Sequence, residues 1–140
     1  MLFFAIATLS GCSTKPVASV ASQPVPADRI FAYQPAGNDP MTGTLIVARD
    51  AGAMMGACPF AFSVDGKVTA HIRRGESATL AIPAGNRIIS AEPTGKGVCS
   101  WGNEDKQRRE TSVTIETGVQ TKVRVGVTND GIIQITPTAF

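Results

Sequence analysis

The chain has 140 residues, 43% hydrophobic, 6% aromatic and 17% charged, with 14 Gly and 9 Pro. This composition allows one modest core of Val, Ile, Leu and Ala, many turns, and an additional segment outside the domain. A formal net charge of +2 is too small to argue for nucleic-acid binding, and outside the apolar N-terminal segment the two cysteines Cys58 and Cys99 with the single His71 make too few soft ligands for a metal site.

Residues 1–11 (MLFFAIATLSG) are uncharged and almost wholly apolar. They are too short to cross a bilayer as a helix, but they suit the apolar core of an export signal. Leu9, Ser10, Gly11 and Cys12 follow the lipobox pattern, and the segment resembles a bacterial lipoprotein precursor. The resemblance implies cleavage before Cys12, a diacylglycerol thioether on its sulfur and acylation of the freed amine. Several acyl chains, at about 0.8 kcal/mol per buried CH₂, would make the attachment effectively permanent. Ser13 resembles an outer-membrane address, so the expected location is the outer membrane, facing the periplasm. No Lys or Arg precedes the apolar run, which leaves open a start upstream of Met1. A chance apolar N-terminus with a cysteine is the alternative, and the polar, Pro-rich sequence after Cys12 weighs against it.

Residues 13–27 are dominated by Ser, Ala, Val and Pro and show neither helical nor strand period. This is a tether composition, with an extended reach on the order of 40–50 Å at about 3.1 Å per residue. The expected division is a signal over 1–11, a lipidated cysteine and tether over 12–42, and a β-sandwich domain over 43–140. Within 28–34, Ile30 and Ala32 alternate with Phe31 and Tyr33, which fits either a first strand or a helical turn packed on the domain. Residues 35–42 form a loop, and the apolar run 44–49 reads as a buried strand.

Residues 50–58 (DAGAMMGAC) are Gly-rich, but no Gly-Lys-Ser/Thr follows and no helix opens, which excludes a phosphate-binding loop. Two readings stand: a connection whose Met54 and Met55 pack under the sheet, or an adaptable apolar patch for a partner. Cys58 and Cys99 remain once Cys12 is lipidated, and in an oxidising compartment an even pair is expected to be a disulfide. That bond would bring Trp101, close to Cys99, beside Met54 and Met55. The cluster would be either a contact surface or a cap on the core. A Cys–His nucleophile pair using His71 is conceivable on paper. His71, however, is expected on the polar face of its strand, and no catalytic constellation surrounds either cysteine.

Asp65-Gly66 lies between two alternating runs and predicts a type I′ hairpin, because both turn positions need positive φ. After it, Val68, Ala70 and Ile72 are expected inward, with Lys67, Thr69, His71 and Arg73 outward. A turn at 74–76 precedes a strand with Ala78, Leu80 and Ile82 inward. The turn at 83–86 leads into a strand over 87–91. A turn-rich loop over 93–105 is followed by a basic cluster at 106–109. With Arg73, Arg74 and Arg87 that cluster could form a positive face toward anionic lipid or wall polymer, though Glu104, Asp105 and Glu110 favour a mixed-charge surface. Residues 110–116 alternate with Val113 and Ile115 inward. A turn at Gly118, a strand over 120–127 with Val123, Val125 and Val127 on one face, a hairpin turn at 128–131 and a closing strand over 132–136 complete the chain. The expectation is all-β: a small antiparallel β-sandwich of roughly seven or eight short strands.

The stretch from Arg29 onward resembles small bacterial lipoproteins with a PEGA-like or transthyretin-like β-sandwich. The residues that carry the resemblance are 29–34 (RIFAYQ), 49–52 (RDAG), Cys58, the VDGK hairpin, the turn IPAG and Cys99. The resemblance implies a sandwich and no reaction. The function expected from the whole sequence is a non-enzymatic, cofactor-free module, anchored to the membrane through Cys12, that binds another envelope protein or supports an envelope assembly. The alternatives are an inhibitor or immunity-type lipoprotein that blocks a toxin or hydrolase, a wall-polymer binder using the basic face, and a thiol enzyme. No nucleic acid and no small-molecule substrate is expected.

Overall fold

The computed structural model describes residues 15–18, 21–35, 39–53, 55–100 and 107–139. The lipobox with Cys12, and also Met54 and Trp101, lie outside the described residues. The chain is nearly all β. Its strands are β1 (Gln23–Pro24), β2 (Thr42–Arg49), β3 (Phe60–Val64), β4 (Lys67–Ile72), β5 (Glu76–Pro83), β6 (Gly85–Pro93), β7 (Arg109–Ile115), β8 (Gln120–Val127) and β9 (Ile133–Pro137). They form a five-stranded sheet in the order β1-β5-β2-β8-β9 and a four-stranded sheet in the order β4-β3-β6-β7.

The small all-β sandwich expected from the alternating runs is what forms, with two additions. The first is β1, which lies inside the expected tether and pairs parallel with β5. The second is a parallel pairing of β2 with β8, from Thr44↔Gln120 to Arg49↔Val125. Parallel neighbours need a long crossover, and here the intervening chain builds the other sheet on the way. The remaining ladders are antiparallel.

The core lies between the sheets. Leu45 and Val47 of β2, Ala78, Leu80 and Ile82 of β5, and Val123, Val125 and Val127 of β8 face Phe60, Phe62, Val64, Ile72, Ile89 and Ile115. All are buried, because a period of two on each strand delivers every second side chain to the same side. Gly43 lets β2 pass beneath the β7–β8 turn: a Cβ there would collide with the Glu116 carbonyl oxygen and come within 2.8 Å of Ile115 Cγ2.

Asp65 (φ 49°) and Gly66 (φ 79°) form the β3–β4 turn with both residues at positive φ, as expected. The Asp65 carboxylate accepts from the Ile88 N–H (3.0 Å) and from Arg87 Nη1 (3.2 Å), so the turn is also fastened to β6.

The alternation expected after that turn fails at its first step. Val68 is 40% exposed and Thr69 is fully buried, the reverse of the expectation. The cause is a bulge: Phe62 pairs with Ala70 but Ser63 pairs with Val68, leaving Thr69 as an extra residue. One inserted residue moves the preceding side chains to the other face.

The tether also ends earlier than expected. Val25 is 6% exposed and belongs to the core, and the Gln23 and Val25 N–H groups donate to the carbonyls of Gly75 (3.0 Å) and Ser77 (2.9 Å). A 3₁₀ turn at Ala27–Arg29 follows, and Ile30 then bridges Ala70. Both structures considered for 28–34 are therefore present in part. Arg29 clamps Glu76 with two bonds of 2.9 and 2.6 Å. The Tyr33 carbonyl accepts the Ala81 N–H at 2.8 Å. Residues 23–33 thus form a strap across the β4 and β5 side of the sandwich. The packed unit begins at Gln23, not at residue 43, and any tether reach ends there.

Candidate functional site at the disulfide end

The site is built from the end of β2. Position 49 continues the inward period of Leu45 and Val47, so an arginine is delivered into the core, where it is 3% exposed. Its guanidinium is satisfied there. Nη1 donates to the carbonyls of Cys58 (2.5 Å) and Ile72 (2.9 Å), and Nη2 donates to the Met55 carbonyl (2.8 Å). The guanidinium carbon lies 3.6 Å from the centre of the Phe60 ring. Burial pulls the Arg49 pKa down to about 10, which leaves it charged at neutral pH. A fork of N–H donors suits this role because it can serve several loop carbonyls from one stem.

Arg49 therefore pins the 50–58 loop to the end of β4. Met55, at φ 54°, packs against the core. Beside it, Asp50 is buried and accepts from Arg124 Nη2 at 2.6 Å. The loop ends at Cys58, whose sulfur lies at disulfide distance from that of Cys99, with Cα atoms 5.4 Å apart. Cys99 sits on a 3₁₀ turn, Gly97–Ser100. The bond and the guanidinium hold the loop from two sides. Between the loop and that turn lies a cleft of about 540 Å³ lined by Met55, Cys58, Pro93, Val98, Cys99 and Gln107, with Asp130 and Gly131 at one side. Val98 is 65% exposed.

The paired cysteines and Met55 are thus gathered at one end of the domain, while Met54 and Trp101 lie outside the described residues. The sequence marks Arg49 only as the end of the 44–49 run and the start of the 49–52 motif, with no role for its side chain. Its signal was the inward period 45–47–49 running one step past the apolar run.

His71 is placed differently from the expected solvent-facing residue. It is half-buried, with its ring edge-on to Phe31 (centroids 4.8 Å apart, planes at 83°), and its carbonyl accepts from Arg29 Nη1 at 3.1 Å. Burial, with the Arg29 charge as a second cause, holds its pKa below the usual imidazole value. With Cys58 and Cys99 bonded to each other, neither offers a thiolate to a His71 base.

Two of the arginines considered for a positive face are engaged elsewhere. Arg87 donates to the Pro83 (3.0 Å) and Ala84 (2.8 Å) carbonyls and pairs with Asp65, and Arg108 pairs with Glu110 at 3.0 Å. Arg74 lies against Gly56, and Lys106 is outside the described residues. Among the described residues, no group of three or more His, Cys, Asp or Glu could hold a metal ion. Compared with known proteins, the chain matches no family model, no curated protein and no solved structure.

Proposed function

We propose that this protein is an outer-membrane lipoprotein whose periplasm-facing β-sandwich is a non-enzymatic interaction module. Lipidated Cys12 holds it to the membrane, and the disulfide end engages another envelope protein. The observation that carries the reading is the cleft at that end. It is apolar for much of its lining, it exposes Val98, and it is framed by a loop fixed at Arg49 and at the Cys58–Cys99 pair. A pre-formed concave surface of that kind binds without a large ordering cost. The lipobox and the Pro-rich stretch after it support the anchoring, and the pairing of the cysteines favours a structural over a nucleophilic role.

The test is a photo-crosslinking amino acid at Val98 in the full chain, irradiated in intact cells and followed by purification from membranes. The expected result is one envelope protein joined to Val98, lost when Met55→Asp is added and retained in the wall-free fraction at high salt. A tight complex with a secreted toxin or hydrolase would move the reading to the inhibitor or immunity-type alternative. Salt-sensitive sedimentation with purified wall would move it to the polymer binder. In the same cells, Cys12→Ser is expected to leave an unprocessed precursor. An intact mass of the membrane form without acyl addition at Cys12 would remove the anchor from the proposal.

A further inference from the structure

The two sheets end in β1, β9, β4 and β7. An open sheet edge is a template for another strand, and proteins block it with short strands, Pro, Lys, bulges or a covering segment. Three of these edges are blocked in that way. β1 has two residues, one of them Pro24, and β9 ends on Pro137. β4 begins at Lys67 and is bulged at Thr69, whose carbonyl accepts the Phe31 N–H of the strap at 2.7 Å. β7 is charged only at its first two residues, Arg109 and Glu110, and among the described residues it has no Pro, Lys, bulge or covering segment. It pairs with β6 residue for residue, from Gly85↔Ile115 to Ala91↔Arg109, without a bulge. It contains neither Pro nor Lys, and its last residues, Thr111, Ser112, Val113, Thr114 and Ile115, are mostly strong strand formers.

The groups that β7 presents can be worked out. The Asp65 N–H donates to the Ile88 carbonyl at 2.7 Å and the Ile88 N–H donates to the Asp65 carboxylate, so the backbone of Ile88 faces β3. Alternation then turns Gly85, Arg87, Ile89 and Ala91 toward β7, where Ile115, Val113, Thr111 and Arg109 receive them. The N–H and C=O groups of Glu110, Ser112 and Thr114 therefore point out of the sheet, where β7 has no second neighbour among the described residues.

We propose that β7 is a homodimer interface, in which two copies pair antiparallel about a two-fold axis through Ser112 and join their four-stranded sheets into one. Ser112 meets Ser112 of the second copy, and Glu110 meets its Thr114 in both directions. These are three bonded pairs of two bonds each, so about six hydrogen bonds form. The same register sets Arg108 opposite Glu116 of the second copy, opposite charge against opposite charge, twice. Centring on Val113 would instead set Glu110 against the second copy's Glu116, like against like, which disfavours that register.

The side that the second copy approaches is also the open seam of the sandwich. A groove of about 370 Å³ runs between β7 and β9. Behind it a cavity of about 100 Å³ is lined by Ile89, Val113, Val123 and Ile135. A second copy would cover the half-buried Val113 and Ile135. This inference rests on the edge and not on the disulfide-end reading.

The experiment places Ser112→Cys in the full chain in its membrane, oxidises with copper phenanthroline, and reads dimer on non-reducing gels against the native chain. Residues facing each other as a bonded antiparallel pair have Cα atoms about 5.5 Å apart, within the disulfide range of about 4.4–6.8 Å. A dimer band well above the native background is expected. Glu110→Cys and Thr114→Cys each stay at background, because like positions then lie roughly 13 Å apart, four residues at about 3.3 Å each. The Glu110→Cys/Thr114→Cys double variant restores the band. Ser112→Pro, which removes an outward N–H that a monomer does not use, is expected to halve the protein mass measured by light scattering in detergent. The proposal is overturned if Ser112→Cys stays at background in trypsin-resistant protein, if all three single variants crosslink equally, or if the band contains a different protein. Should Ser112→Cys not fold, a native chain that scatters as a monomer overturns it equally.

Discussion

Arg49 is the residue on which the disulfide end depends most directly, so its removal makes the sharpest test. Arg49→Met keeps a long, flexible side chain over Phe60 but withdraws the donors from three carbonyls, those of Cys58, Ile72 and Met55. Hydrogen bonds to a charged group contribute about 1.5–3 kcal/mol each, and a buried acceptor left without a donor costs about 1–3 kcal/mol. The three cannot simply be added, because they share one guanidinium and the loop can move toward water once released. Recovered apolar contact and the removal of a desolvated charge offset part of the loss. The net expectation is about 3–5 kcal/mol. For a domain of this size that is a fall in Tm of roughly 10–20 °C, a large part of a total stability of about 5–15 kcal/mol. Arg49→Lys should recover less than half, since an ammonium cannot span three carbonyls from that stem. The assay is urea unfolding of oxidised protein, followed by circular dichroism. A loss below about 1 kcal/mol for Arg49→Met would refute the reasoning and would mean that the loop is held by the cysteine pair alone.

Three further outcomes are expected. Gly66→Val should cost about 1–3 kcal/mol in the same unfolding assay. No atom lies within 4 Å of the added Cβ, so the cost is backbone strain at φ 79° and Gly66→Asn should be milder. Reducing the Cys58–Cys99 pair, 41 residues apart in sequence, should remove about 4 kcal/mol in the chain-entropy description, and non-reducing peptide mapping should recover the two cysteines in one linked fragment. Acid should loosen the strap in two stages. His71 has a folded pKa below its unfolded 6.5, so the stability it contributes is complete above pH 6.5 and declines as pH falls from there through the folded value. At Glu76 burial acts to raise the pKa, but bonds from Arg29 and the Arg73 N–H bring it below 4.5, so its contribution is lost below that pH. The protection factors of residues 23–33, exchange rates taken relative to the intrinsic amide rate at each pH, should therefore fall as pH drops below 6.5 and again below about 4.5, with the second step absent in Glu76→Gln. Protection that stays level across both ranges would separate the strap from these two groups.

The short-range features were legible in the residues. Asp65-Gly66 forms its turn because only a few side chains tolerate consecutive positive φ. Leu80 and Val123 are buried because a strand alternates faces whatever lies beyond it. The expectation of a Cys58–Cys99 pair rests on cysteine count and an oxidising compartment, and the structure brings the two sulfurs together. The departures are all long-range. Thr69 is the extra residue of a bulge, and the edge it lies on is bonded by Ile30 and Phe31, some forty residues earlier. Val25 looked like a tether residue because its neighbours are Pro and Ala; it enters the core because the side next to β5 is open. Arg49 reads in the sequence as the end of a buried strand, and only the loop that returns over it and the end of β4 supply the carbonyls that make its burial tolerable. The parallel match of β2 with β8 joins segments about eighty residues apart with no local mark on either. Local sterics and period act over a few residues and can be read in order along the chain. Which edges meet, and which buried charge finds its acceptors, depends on backbone groups that come together only after the sheets have packed.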